Sequence, residues 1–163
     1  MNRITHKFLN ELTFEVIGSA IEVQKNMGRG LIESVYHKCM IEELKLRKLN
    51  FQSEFKIPVT YKNINLELDF RCDLFIENCL VIEIKSVNEL INIHEAQLLN
   101  YMNLLKAPKG ILLNFNSQTI FKEGQKTFVN DYYKKLKSII IITFISSEAL
   151  KYKVKLLKSM WLK

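Results

Sequence analysis

The stretch from Arg71 to Lys85 leaves the chain few ways to fold. Leu80, Ile82 and Ile84 alternate with Val81, Glu83 and Lys85, the period of a β-strand, so Glu83 and Lys85 share one face. Before it, Leu66, Leu68, Phe70, Cys72, Leu74 and Ile76 form one face of a long strand. Glu67, Asp69, Arg71 and Asp73 form its polar face. Glu77-Asn78 reads as the tight turn joining the two strands into a hairpin. Charge inside so apolar a run is costly unless something pairs with it. Two readings meet that requirement. One is a cross-strand ion pair on an outer face; the other is a metal ion held by Asp73 and Glu83, with Lys85 beside it.

The rest of the chain supplies helices to cover such a hairpin. Leu9, Leu12, Phe14, Val16, Ile17, Ala20, Ile21 and Val23 recur at mostly helical spacing, predicting an amphipathic helix over about Phe8–Lys25, with Gly28 as its cap. A second helix is expected over Ile32–Lys48, with Glu33, Tyr36 and Met40 on one stripe. In its first turn, Glu33 is explained by the helix dipole without any chemistry. From Phe51 the period changes to two, with Phe55, Ile57 and Val59 on one side of a strand and a turn at residues 61–65. After Lys85, Ser86 and Asn88 are candidate caps for a third helix over Glu89–Leu105, on which His94, Gln97 and Tyr101 form a polar-tipped stripe. The run Ile111–Phe115 reads as a buried strand and Thr119–Phe121 as another short one. A short helix over Thr127–Lys137, a strand or buried segment over Ile139–Ile145 and a basic helix over Glu148–Trp161 complete the expectation. The order predicts an α/β fold with a central mixed β-sheet flanked by helices.

Length and composition narrow the function classes. At 163 residues the chain suits one domain with a full core. The longest apolar run, Ile139–Ile145, is far shorter than the roughly 20 residues that cross a bilayer. No N-terminal stretch has the pattern of a secretory signal, and Cys39, Cys72 and Cys79 form no Cys-x-x-Cys pair. Reduced thiols in a soluble, cytoplasmic protein are expected, with no membrane partner. A net charge of +7 favours a polyanion. Drift toward Lys, Asn and Ile would raise that charge too, so it weighs lightly.

A hard divalent ion such as Mg²⁺ is typically held by one or two carboxylates together with waters and phosphate oxygens. Across the hairpin, Asp73 and Glu83 are spaced to meet on neighbouring strands. Lys85 is placed to orient or deprotonate a water, or to offset charge on phosphorus. Glu33 is placed to close the site from its helix end.

Four motifs in order carry a resemblance: Gly30-x-x-Glu33-x-x-Tyr36; Asp73-x9-Glu83-x-Lys85; His94-x-x-Gln97-x-x-x-Tyr101; and Gly110-Ile-Leu-Leu-Asn-Phe115. Over roughly residues 8–135 the chain resembles the GxxExxY family of bacterial and archaeal proteins, a branch of the PD-(D/E)XK nuclease superfamily. The resemblance implies a restriction-endonuclease-like core and a site dependent on Mg²⁺, for which Mn²⁺ can substitute. It implies catalytic roles for Glu33, Asp73, Glu83, Lys85 and Gln97, and metal positions at Asp73, Glu83, Ile84 and Glu33. Tyr36, Tyr101 and His94 follow as substrate-binding or supporting residues. The superfamily's literal Pro-Asp is absent, since Cys72 precedes Asp73.

The leading expectation is a Mg²⁺-dependent nuclease acting on DNA. The alternative is a non-catalytic nucleic-acid-binding or regulatory module that keeps the fold. An enzyme for another polyanion ranks last, because no Gly-rich phosphate loop is present; Gly28-Arg29-Gly30 is too short a signal. RNA stays open as substrate, and a homodimer is a common superfamily arrangement. The domain is expected over 1–137, with 138–163 a C-terminal extension packed on it.

Overall fold

The computed structural model describes residues 4–66 and 68–136. The expectations for Ile139–Ile145, for Glu148–Trp161 and for the extension as a whole lie outside these residues. Helix α1 (His6–Met27) is opened by Thr5, whose hydroxyl accepts from the Phe8 amide at 3.1 Å, and ends at Gly28 with φ 71°. There a side chain would be strained, so glycine suits the stop. Helix α1 buries Leu9, Leu12, Val16, Ala20 and Val23. Phe14 and Ile21, expected on that face, are exposed. Helix α2 (Glu33–Leu46) packs beside α1, burying Tyr36, Met40 and Leu44. Arg47 bridges the pair, reaching Glu43 at 2.9 Å and Glu15 at 3.0 Å.

The sheet contains β1 (Phe51–Lys56), β4 (Arg71–Ile76), β5 (Leu80–Lys85), β6 (Lys109–Asn114) and β7 (Gln125–Val129), in that spatial order. Between β1 and β4 the chain forms a separate two-stranded hairpin, β2 (Val59–Tyr61) and β3 (Ile64–Leu66). Among the described residues only β5 and β6 run parallel, and α3 (Asn92–Leu104) makes the connection between them. The sheet is therefore mixed and flanked by helices, as expected. Helices α1 and α2 cover one face through Leu74, Ile76, Leu80, Ile82, Ile84, Ile111 and Leu113. Helix α3 covers the other through Phe75, Val81 and Leu112. A Cβ on Gly110 would lie 2.6 Å from Met102 Sδ and 2.9 Å from Leu98 Cδ1, so glycine lets α3 sit close to β6.

Three boundaries differ from the sequence reading. The long strand expected from Leu66 to Ile76 is broken, because the Leu68 amide turns back to the Leu66 carbonyl at 3.0 Å and releases the chain from the small hairpin. Thr119–Phe121 is a turn rather than a strand, closed by the Glu123 and Gly124 amides on the Thr119 carbonyl. Residues 125–129 then pair with β6 as β7, and among the described residues of the expected Thr127–Lys137 helix, 131–136 are helical. Among the described residues no helix is long and apolar enough to cross a membrane.

Candidate active site

The hairpin forms as its sequence demands. Glu77 and Asn78 take φ of 49° and 54°, and the Cys79 amide closes the turn on the Ile76 carbonyl at 3.0 Å. Two positive φ values in a two-residue loop match the twist of the flanking strands. The ladder pairs Ile76 with Leu80, Phe75 with Val81 and Leu74 with Ile82, and then stops. The same register would set Asp73 opposite Glu83. Instead of a ladder pair, the Asp73 carboxylate accepts the Ile84 amide, Oδ2 lying 2.6 Å from the nitrogen. The other neighbour of β4 is interrupted at the same level. Ser53–Leu74 and Phe55–Cys72 pair, but Glu54, between them, has φ 48°. Asp73 thus sits where β4 parts from its neighbours, with a side chain doing the work of a backbone acceptor.

On β5, Glu83 is 2% exposed, inside a strand that is otherwise apolar up to Lys85. Its Oε2 meets Lys85 Nζ at 3.2 Å, within the strand rather than across it. Its Oε1 is buried without a hydrogen-bond partner among the described residues. Leaving a carboxylate oxygen in this state is costly, and a cation is one of the few species that relieves it. Burial first, and the Asp73 charge second, push the Glu83 carboxyl up to about 8. Burial also raises Asp73, although the Ile84 amide and Lys85 pull it back. Lys85 is raised: burial opposes its charge, but Glu83, Asp73 and Glu33 outweigh burial. Of the polar face read from β4, Asp73 is therefore set among buried groups, whereas Asp69 stays exposed and pairs with Arg71 at 2.6 Å.

The remaining predicted residues divide by distance from this centre. Glu33 lies at the start of α2, where its Oε1 accepts the Ser86 amide at 3.2 Å, and its charge reaches Lys85 and Asp73. Gln97 on α3 donates to the Tyr101 hydroxyl at 2.7 Å. Burial raises the pKa of that hydroxyl, Gln97 pulls it back, and the Glu83 charge adds to the rise. Tyr36 supports rather than lines the site. Fully buried, it stacks on Phe115 at 4.5 Å, while its hydroxyl donates to the Gly28 carbonyl and accepts the Leu31 amide. His94 Nδ1 accepts the Ile91 amide at 3.3 Å at the start of α3, a capping position. Ser86 and Asn88 do not cap that helix, since Ser86 Oγ donates to the Leu31 carbonyl and Asn88 Oδ1 accepts from Asn116.

Two residues went unnoticed in the sequence. His37 Nε2 stands 3.1 Å from the Asp73 carbonyl and 3.2 Å from Ser53 Oγ, tying α2 to β4 at its break. Its signal was available, one helical turn after Glu33. Asn114 is buried at the end of β6, directly beside Lys85, and bonds both the amide and the carbonyl of Val87. A polar residue ending an apolar run marks it in the sequence.

No group of three or more His, Cys, Asp or Glu side chains converges on one point among the described residues. Asp73 and Glu83, with the Ile84 main chain between them, make a two-carboxylate donor set, enough for a hard ion that keeps waters and takes phosphate oxygens. The orphaned Glu83 Oε1 fits that use.

Comparison with protein families then decides what the hairpin belongs to. The model of the PD-(D/E)XK nuclease superfamily matches residues 10–128. The chain belongs to that superfamily. The match spans α1 through β7, including Glu33, Asp73, Glu83 and Lys85. No curated protein and no solved structure matches the chain. Membership in the PD-(D/E)XK superfamily implies nuclease chemistry on a nucleic acid, and these nucleases generally use divalent metals.

Proposed function

We propose that this PD-(D/E)XK protein is a Mg²⁺-dependent nuclease that hydrolyses phosphodiester bonds of DNA, with Mn²⁺ able to substitute. One observation carries the reading: the buried Glu83, with an orphaned oxygen, stands at the level where Asp73 leaves the ladder, and Lys85 is held beside it. Asp73 and Glu83 would hold the ion. When bound, such an ion lowers the pKa of a water and offsets charge on the phosphate. The Ile84 amide keeps the Asp73 carboxylate fixed in direction. Lys85, held protonated by the carboxylates around it, offsets charge building on the scissile phosphate and orients the attacking water. Glu33 supports the lysine's charge from α2, and the Gln97–Tyr101 pair walls the site on the α3 side.

The test is a divalent-metal screen against linear, nicked, branched and single-stranded DNA. Asp73→Ala, Glu83→Ala and Lys85→Ala should each lower cleavage by at least about a thousandfold while keeping the wild-type circular dichroism. Wild-type cutting by Lys85→Ala would refute the mechanism. A failure of the wild-type chain to take up Mn²⁺ in calorimetry would favour a module that keeps the fold without the chemistry.

A further inference from the structure

Beside the carboxylate site, at the C-terminal ends of the parallel strand pair β5 and β6, the two following loops line a cavity of about 410 Å³. Crevices at the carboxyl ends of parallel strands are where open α/β sheets bind ligands. Arg29, Asn88, Asn116, Gln118 and Lys126 line this one. A neighbouring cavity, lined by Glu33, Ser86 and Asn116, shares Asn116 with it. The two adjoin at Asn116, and their lining residues trace a path from Glu33 in the first turn of α2 to Arg29. Unlike Lys126, which is paired with Glu95 at 2.7 Å, Arg29 makes no ion pair or hydrogen bond among the described residues.

The backbone presenting Arg29 is braced. The Tyr36 hydroxyl holds both the Gly28 carbonyl and the Leu31 amide, and Ser86 Oγ holds the Leu31 carbonyl. Gly28 and Gly30, at φ 71° and 85°, make the sharp turn possible. An unpaired guanidinium on a stiff loop loses little freedom on binding an anion, and its fork suits phosphate oxygens. The amides of the path are similarly uncommitted. Asn116 Nδ2 donates to Asn88 Oδ1 at 3.3 Å, which leaves Asn88 Nδ2 and Asn116 Oδ1, on two residues of the cavity lining, without partners among the described residues. The Gln118 side chain has none either. Amides carry a donor and an acceptor together, the combination that base edges require. The acidic members of the lining, Glu89 and Glu123, keep the cavity from being a general anion trap, and Glu123 is engaged with the Gln118 amide at 2.9 Å.

We infer that this path is the track of one nucleic-acid strand, along which Arg29 grips a backbone phosphate flanking the scissile one and Asn88, Asn116 and Gln118 meet base edges. The inference rests on the nuclease reading above and adds where the substrate lies. In the full-length chain carrying Asp73→Ala, binding of fluorescent DNA is measured across a salt series. Arg29→Ala should weaken binding several-fold and lower the slope of log affinity against log salt by about one, with Arg29→Lys restoring the slope. Asn116→Ala with Gln118→Ala should leave the slope and change the ranking of DNA sequences bound. If Arg29→Ala matches its parent in affinity and slope, the track is elsewhere and the nuclease reading stands. If the parent binds no DNA and the wild-type chain cuts none, both fall together.

Discussion

Strands β5 and β6 bury an amine at each end of their parallel ladder, and the two amines behave oppositely. At one end Lys109, opposite Leu80, is 6% exposed and among the described residues meets only the Asn10 side-chain oxygen at 3.2 Å. Burial pulls its pKa down. At the other end Lys85, opposite Asn114, is opposed by burial as well, yet its pKa rises because Glu83, Asp73 and Glu33 surround it. Burial of a charge is therefore not what marks the site. The mark is a buried group in excess of its partners: two carboxylates and one lysine, with a carboxylate oxygen left over.

The largest expected break in that comparison comes from Glu83→Gln. It should abolish divalent-ion binding and also flatten the pH dependence of folding. In the metal-free folded chain Glu83 titrates at about 8, whereas in the unfolded chain it titrates near the ordinary value of about 4.3. Between those values the folded state holds a proton that the unfolded state releases. Stability is then full below the lower value and falls as pH rises toward the upper one. Thermal midpoints in chelator from pH 5 to 8 should decline for the wild type and stay level for Glu83→Gln. A level wild-type profile would remove Glu83 from its role.

Next in size is Asn114→Ala. Asn114 accepts the Val87 and Asn116 amides at 3.1 and 3.2 Å and donates to the Val87 carbonyl at 2.9 Å, fixing the chain just after Lys85. Its loss strands part-buried backbone groups, at about 1–3 kcal/mol. Denaturant titration gives the stability. Cleavage should fall with it, since Lys85 loses its anchor; unchanged activity would show that the loop does not position the lysine.

Much of this arrangement could be read from residue spacing. Alternation placed Glu83 and Lys85 on one face, and the Asp73–Glu83 spacing anticipated the register that brings them to one level. What alternation could not show is that β4 rotates there. Cys72 packs with Phe55 and Phe75 under α3 while Leu74 faces α1 and α2, although strict parity puts Cys72 and Leu74 together. The cause is non-local: Ile84 donates to a side chain, Glu54 turns to positive φ and His37 engages the Asp73 carbonyl. Phe75, beyond the break, is likewise covered by α3, a helix supplied only after β5. Local pattern cannot see a cover that arrives later in the chain.

The smallest expected effect tests the quiet end of the ladder. Lys109 has no carboxylate partner among the described residues, so its amine contributes desolvation cost and one hydrogen bond to Asn10. Lys109→Met keeps the stem and removes the charge, while Asn10, on the half-solvated side of α1, can turn to water. Replacing a buried charge with an apolar group of similar volume is often neutral or stabilising. The unfolding free energy from urea titration should fall by less than about 1 kcal/mol, or rise, and the metal dependence of cleavage should be untouched. A loss above about 2 kcal/mol would mean that Lys109, like Lys85, is held by charge, and burial alone would regain its value as a marker.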